Sequence, residues 1–224
     1  IIIPSIAAVS IRLHFYFEMT FIDVGQGDGI YMETPEGTTV LIDGGSSDNK
    51  KLYEYTLEPF LLSKGRKKLD AVIVTHCDND HISGIRKIFT EDNIKVKTLY
   101  MPSTTMTDEV YTELIELAAE SGTDIKYIYE GYSMTEKDFY MYCLHPEYEY
   151  DTSERNDYST TLYIRYDNFS ALLTGDISGE VESNILQKYK DFPQVTILKA
   201  AHHGSRFSNT EDFIEEFAPQ NIVI

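Results

Sequence analysis

Ala71-Val72-Ile73-Val74-Thr75-His76-Cys77-Asp78-Asn79-Asp80-His81 is the stretch on which the fold turns. A β-branched apolar run of strand character stops abruptly at a cluster of imidazoles and carboxylates. Metal sites are built this way at the rigid edge of a sheet, where short side chains on one loop converge. A second apolar run, 195–198, leads into Ala201-His202-His203-Gly204-Ser205. The chain has six histidines, and four of them lie in these two clusters.

Alternate residues of a loop turn to the same side. His76 and Asp78 can therefore chelate one cation, while Asp80 and His81 face a second. Asp176, ending Leu172-Leu173-Thr174-Gly175-Asp176, is a carboxylate placed to bridge the two, and His202 or His203 supplies a closing imidazole. Such a pair activates water and steadies both attacking and leaving oxygens. Cys77 lies inside the cluster, but adjacent carboxylates compete with it as ligands. With Cys143 it forms neither a disulfide framework nor a zinc-finger spacing. Taken singly, Asp78-Asn79-Asp80 reads as a solvated turn and Gly175-Asp176 as an ordinary one. Their order after strands is what gives them weight.

The 224 residues are 42% hydrophobic, enough for one large domain with a real core. A formal charge of −18, from 37 acids against 19 bases, repels phosphate chains and argues against a stand-alone DNA-binding module. It does not exclude a hydrolase to which another domain delivers substrate. The basic run Lys64-Gly65-Arg66-Lys67-Lys68 is short and reads as a solvated helix exit. Gly25-Gln26-Gly27-Asp28-Gly29 fails the dinucleotide fingerprint, so no nucleotide cofactor is expected. Residues 1–18 form an apolar lead-in without a signal-peptide pattern, readable as the end of a membrane helix or as an edge strand. Residues 221–224 stop inside a strand pattern, so truncation at both ends is expected, with 19–224 as the folded domain.

Strands are predicted at 19–24, 29–33, 39–43, 71–75, 98–101, 125–129, 138–144, 161–166, 170–174 and 195–198, and helices at 52–62, 82–89, 107–121, 178–189 and 210–217. Residues 146–158 read as loop. Early strands followed by alternating strands and helices imply an α/β, αββα sandwich of two mixed sheets between helices.

His76-x-Asp78-x-Asp80-His81 resembles the second motif of metallo-β-lactamase-fold hydrolases, with Asp78 where a histidine is usual. Four further segments narrow the resemblance: 21–28, Asn156-Asp157-Tyr158-Ser159, 173–176 and 198–205. Together they look like the C-terminal hydrolase domain of ComEC-type competence DNA-uptake proteins. The resemblance implies a two-metal phosphodiesterase or nuclease, with His76 and Asp78 on the first ion, Asp80 and His81 on the second, Asp176 bridging and His203 a ligand. His202 and Asp80 carry the catalytic roles, His202 meeting the phosphate or leaving group. Asp43 buttresses the metal loop and Asp28 supports it. His145 stands where many members have a third-motif histidine, though its alternative is a loop histidine. Asn156, Ser159 and Ser205 are short polar donors able to reach phosphate oxygens, or turn residues.

The oxygen-rich ligand set tilts the pair of divalent ions towards Mn²⁺, or a mixed Zn²⁺/Mn²⁺ site, and away from an all-zinc one. The resemblance further implies a DNA substrate in single-stranded form supplied by fused or neighbouring domains, a membrane channel domain in the full-length protein, and an extracytoplasmic, membrane-associated location. It also implies a continuation past residue 224. Two rivals remain open: a cell-surface phosphorylcholine esterase or other small-molecule phosphodiesterase, and a metal-free binding module.

Overall fold

The computed structural model describes residues 16–91, 93–190 and 192–224. Most of the lead-in, and His14, lie outside the described residues. Strands β1 (Glu18–Phe21), β2 (Ile30–Glu33), β3 (Thr39–Ile42), β4 (Lys68–Ile73), β5 (Lys95–Pro102) and β6 (Asp124–Ile128) form one sheet in chain order. Strands β7 (Ser133–Glu136), β8 (Phe139–His145), β9 (Thr161–Tyr166), β10 (Phe169–Leu173), β11 (Ile197–Lys199) and β12 (Asn221–Val223) form the second, again in chain order. Each sheet opens as an antiparallel meander and turns parallel, at β3–β6 in the first and β10–β12 in the second. The helices are α1 (Glu58–Ser63), α2 (Asn79–Glu91), α3 (Glu109–Glu120), α4 (Gly179–Lys188) and α5 (Glu211–Phe217).

The alternation of side chains along each strand explains the layers. Ile30, Met32, Val40, Ile42 and Ile73 meet Met141, Leu162, Ile164, Ala171 and Leu173 between the sheets. The intervening Tyr31, Leu41 and Val72 point the other way, onto Leu61 of α1, Ile85 and Ile88 of α2 and Leu114 of α3. Tyr163, Leu172 and Leu198 likewise meet Val181 and Ile185 of α4 and Phe213 and Phe217 of α5. Strands buried on both faces carry continuous apolar runs, and the result is the αββα sandwich expected from sequence.

Differences are local. β7, Ser-Met-Thr-Glu, is a polar edge strand that offers no apolar run. Helix α2 begins at Asn79 rather than 82, because the Asp78 carbonyl accepts from His81 N and Ile82 N at 3.0 and 3.2 Å. The helix predicted at 52–62 opens with a π turn, Tyr53–Leu57, before α1.

The loops after β3, β4, β10 and β11 gather at the carboxyl ends of those strands, the usual place for a site on parallel strands. The two sheets are tied there by Thr160 N donating to Thr75 O at 3.0 Å, and β11 to β10 by His202 N donating to Gly175 O at 3.1 Å. The start of α2 sits in a glycine cradle. A Cβ on Gly45 would fall 2.5 Å from the backbone of Asp80 and His81, and one on Gly27 would fall 2.4 Å from Asp80 O. Gly45→Ala must therefore push the Asp80–His81 turn off the sheet edge. The expected loss is about 1–3 kcal/mol by urea unfolding; an unchanged midpoint would show that the cradle has slack.

Candidate metal centre

Asp43 follows β3 with φ at +53°, a conformation Asp tolerates better than most residues. Its Oδ1 accepts from Thr75 N (2.8 Å), and its Oδ2 from the Thr75 hydroxyl (2.6 Å). The same Oδ2 lies 2.8 Å from His81 Nδ1. The carboxylate thus fixes the end of β4 and the ring of His81 together, with His81 Nε2 turned outward.

A similar pairing serves His203: Nδ1 is 3.5 Å from Asp28 Oδ1, while Nε2 faces Asp80 Oδ2 and Asp176 Oδ2, each at 3.4 Å. His81 Nε2 is 3.3 Å from Asp176 Oδ2. His76, fully buried, has its ring 4.1 Å from that of His81 and tilted by 52° to it. Ligand atoms of Asp80, His81, Asp176 and His203 all lie within 4.8 Å of one another. The Nε2 atoms of His76, His81 and His203 and Oδ1 of Asp176 are buried and make no hydrogen bond. Orphaned polar atoms of this kind are rare in a native interior. Two carboxylates and two imidazoles gathered this closely are a fitting donor set for a divalent cation.

The electrostatics agree with that geometry. Burial opposes charging His81, yet Asp43 and Asp176 hold its pKa well above the histidine range. His203 is pushed up to about 9 by Asp176 and Asp80. Burial would raise Asp176 and Asp80, but His203 and His81 overcome it and hold both carboxyls below the ordinary range. Without a metal, protons on imidazoles balance the aspartates.

Other predicted residues fall variously. Asp78 lies at the rim, Oδ2 3.7 Å from His76 Nε2 and Oδ1 accepting from Arg155 Nη1 at 2.9 Å. Cys77 turns into the helix-side core, where burial pushes its thiol up to about 12, so the alternation puts it away from the site. His202 Nδ1 is 3.4 Å from Asn156 Nδ2, which places these two together beside His203.

For three candidates the structure shows the alternative role. Ser159 is fully buried and its Oγ accepts from Asp176 N at 3.2 Å, as a residue that shapes the Asp176 turn does. His145 joins neither metal-competent group: its Nε2 is 2.6 Å from the Asp157 carbonyl oxygen and its ring lies edge-on to Tyr150. Ser205 Oγ accepts from Phe207 N at 3.3 Å, as a turn residue does.

Sequence reasoning missed three side chains. Lys199, ending β11, is almost wholly buried with Nζ 2.6 Å from Asp28 Oδ2 and 3.7 Å from Asp176 Oδ1. Its ammonium pairs with Asp28, a member of the second group of carboxylate and imidazole atoms close enough to hold a cation, Asp28, Asp43 and His81. A lone lysine closing an apolar strand was the available signal. Asn209 clamps the His-His turn, its Oδ1 accepting from Ala201 N (2.8 Å) and its Nδ2 donating to Ala201 O (2.9 Å). Arg155 is the third.

The metallo-beta-lactamase superfamily pattern matches residues 22–116. Among solved structures, the metallo-beta-lactamase fold protein YhfI from Bacillus subtilis superposes with a TM-score of 0.57 at 14% identity, covering 92% of this chain and 85% of that one. CmlA, a diiron beta-hydroxylase from Streptomyces venezuelae, gives 0.55 at 14% identity, covering 92% and 44%. This chain is a metallo-β-lactamase-fold domain. Its sequence is similar over nearly its whole length to competence-related proteins of the ComEC type. ComE operon protein 3 of Bacillus subtilis (strain 168) is 34% identical over 220 residues, 92% of this chain and 28% of that protein. Recombination protein 2 of Haemophilus influenzae is 24% identical over 213 residues, 93% and 24%. The chain spans about a quarter of the length of these relatives.

Lys199→Met leaves Asp28 buried beside other carboxylates without its cation. Breaking a buried pair from one side costs about 3–5 kcal/mol, to be read by urea unfolding in chelator. A loss under about 1 kcal/mol would show that the ammonium contributes little to holding the site.

Proposed function

We propose that this domain is a metal-dependent phosphodiesterase that cleaves DNA during competence uptake. The observation that carries the metal reading is the convergence of the orphaned Nε2 atoms of His81 and His203 on Asp176, with Asp80 also facing His203, while the orphaned His76 Nε2 lies 3.7 Å from Asp78. Asp80, His81, Asp176 and His203 would hold one divalent ion, and His76 with Asp78 a second. Bound there, the ions supply an activated water and Lewis acidity towards a phosphoryl oxygen. Asp43 and Asp28 orient His81 and His203 from behind, fixing which ring nitrogen faces forward. His202, 3.4 Å from Asn156, would meet a phosphate oxygen or the leaving group.

The DNA substrate rests on the resemblance to ComEC-type proteins. Single-stranded substrate, a fused channel domain and an extracytoplasmic position belong to the same reading. No helix of the described residues is long and apolar enough to cross a membrane. A second reading, a small-molecule phosphodiesterase, is favoured by the charge of −18, which provides no extended basic track for a polymer.

Cleavage of a labelled oligonucleotide and of a chromogenic phosphodiester with Mn²⁺ separates the two. The DNA reading requires turnover of the oligonucleotide, abolished in Asp176→Ala and His81→Ala; turnover of the small diester alone would reject it. Asp43→Ala is expected to lose about 10–100-fold in metal affinity or activity. The carboxylate-rich set predicts that metal-free protein regains activity with Mn²⁺. Stoichiometric zinc after purification, with no response to manganese, would overturn the metal assignment.

A further inference from the structure

Among the described residues, Asp78 is the member of the 76–81 cluster whose carboxylate is held by an arginine, a cation that no change of pH discharges. Arg155 Nη1 donates to its Oδ1 at 2.9 Å. The guanidinium is pinned from the other side by Asp108, whose Oδ2 lies 2.7 Å from Nε and 2.6 Å from Nη2. Asp108 is no loose partner, because its Oδ1 also caps α3 by accepting from Tyr111 N at 3.0 Å. Arg155 is therefore strung between a helix cap and the metal loop, with its side chain 33% exposed and that of Asp78 37%. Arginine keeps its charge at every physiological pH, and its planar fork holds carboxylates in a fixed geometry.

The neighbouring cluster is different. The Nε2 atoms of His81 and His203 have no hydrogen-bond partner, and no arginine contacts Asp80 or Asp176 among the described residues. Only Lys199 shares that space, with Nζ 3.7 Å from the far oxygen of Asp176. An ion arriving at Asp80, His81, Asp176 and His203 meets open ligand atoms. One arriving at His76 and Asp78 must share a carboxylate with a guanidinium of like charge.

We propose that Arg155 competes with a divalent cation for Asp78, so that the domain binds two ions unequally: one tightly on Asp80, His81, Asp176 and His203, and one weakly on His76 and Asp78. This rests on the metal-site reading above. Arg155 is a positioning residue in this scheme, since it acts through Asp78. Ion occupancy at the weak site becomes the step that releases the guanidinium, and at most three of its five N–H donors are engaged by aspartates.

The test titrates Mn²⁺ into chelator-treated protein and counts free ion by its electron paramagnetic resonance signal, with calorimetry in parallel. Wild type is expected to show two resolved constants. Arg155→Met tightens the weaker one by roughly three- to fivefold, the upper end for one partly exposed ion pair, and leaves the tighter one unchanged. Arg155→Lys, which keeps the charge and loses the fork, keeps the weak site weak. Circular dichroism checks that each variant is folded, and Arg155→Gln stands in for the Met variant should that one fail. A weak constant that stays within about twofold in Arg155→Met, or loosens, overturns the proposal. So do equal constants in wild type. Absence of any bound ion in wild type and both variants would instead reject the metal reading itself.

Discussion

Four aspartates crowded at one buried sheet edge are the constraint on which this structure depends. Asp28, Asp43 and Asp176 are almost wholly buried, and Asp80 stands against them. Uncompensated, carboxylates so placed would unfold the edge or take up protons. The compensation has a regular form. His81 and His203 each turn Nδ1 back to one aspartate and Nε2 forward to another. Each ring is thereby fixed in orientation, and the forward nitrogens are left for an ion. Lys199 supplies a permanent charge behind them. The metal-competent geometry is thus a by-product of how the aspartates are made tolerable.

Backbone strain is concentrated at the same place. His202 and His203 both adopt φ of +50°, followed by Gly204 at +77°. Left-handed conformations cost non-glycine residues roughly 1–2 kcal/mol each, and they persist only where surroundings over-determine them. Here the surroundings are visible. Asn209 brackets the turn, and its own N–H is held at 2.6 Å by Glu182, a fully buried carboxylate on α4 that also accepts from Thr210 N at 2.8 Å. Helix α4, which begins at Gly179 just after Asp176, therefore sets where the His-His turn can sit.

Much of this was legible in the sequence, for a physical reason. Both sheets are buried on two faces, so strands announce themselves as apolar runs, and ligand residues stand out where those runs end. What stayed hidden had no periodic signature. β7 is a polar edge. Lys199 looks like the end of any strand until Asp28 is seen beside it, and Arg155 looks like any loop cation until Asp78 and Asp108 are seen on either side. Ser159 and Asn156 illustrate the converse. Both are short polar residues three apart, yet one is sealed beneath the Asp176 turn and the other stands beside His202. Composition cannot tell a side chain that supports a turn from one that faces the cleft.

The sign of the charge at the site follows from the same bookkeeping. Lys199 and Arg155 are the two permanent cations in contact with its aspartates, and each is matched by at least one of them. The rest of the surface adds to a net charge of −18. A phosphodiester approaching the metal-free domain would meet a negative field focused by a low-dielectric edge. Divalent ions held by these imidazoles would invert that field locally while changing the distant surface little. On the proposed reading, substrate binding and chemistry would share one switch: the ions that would polarise a phosphate would also allow a phosphate to come near.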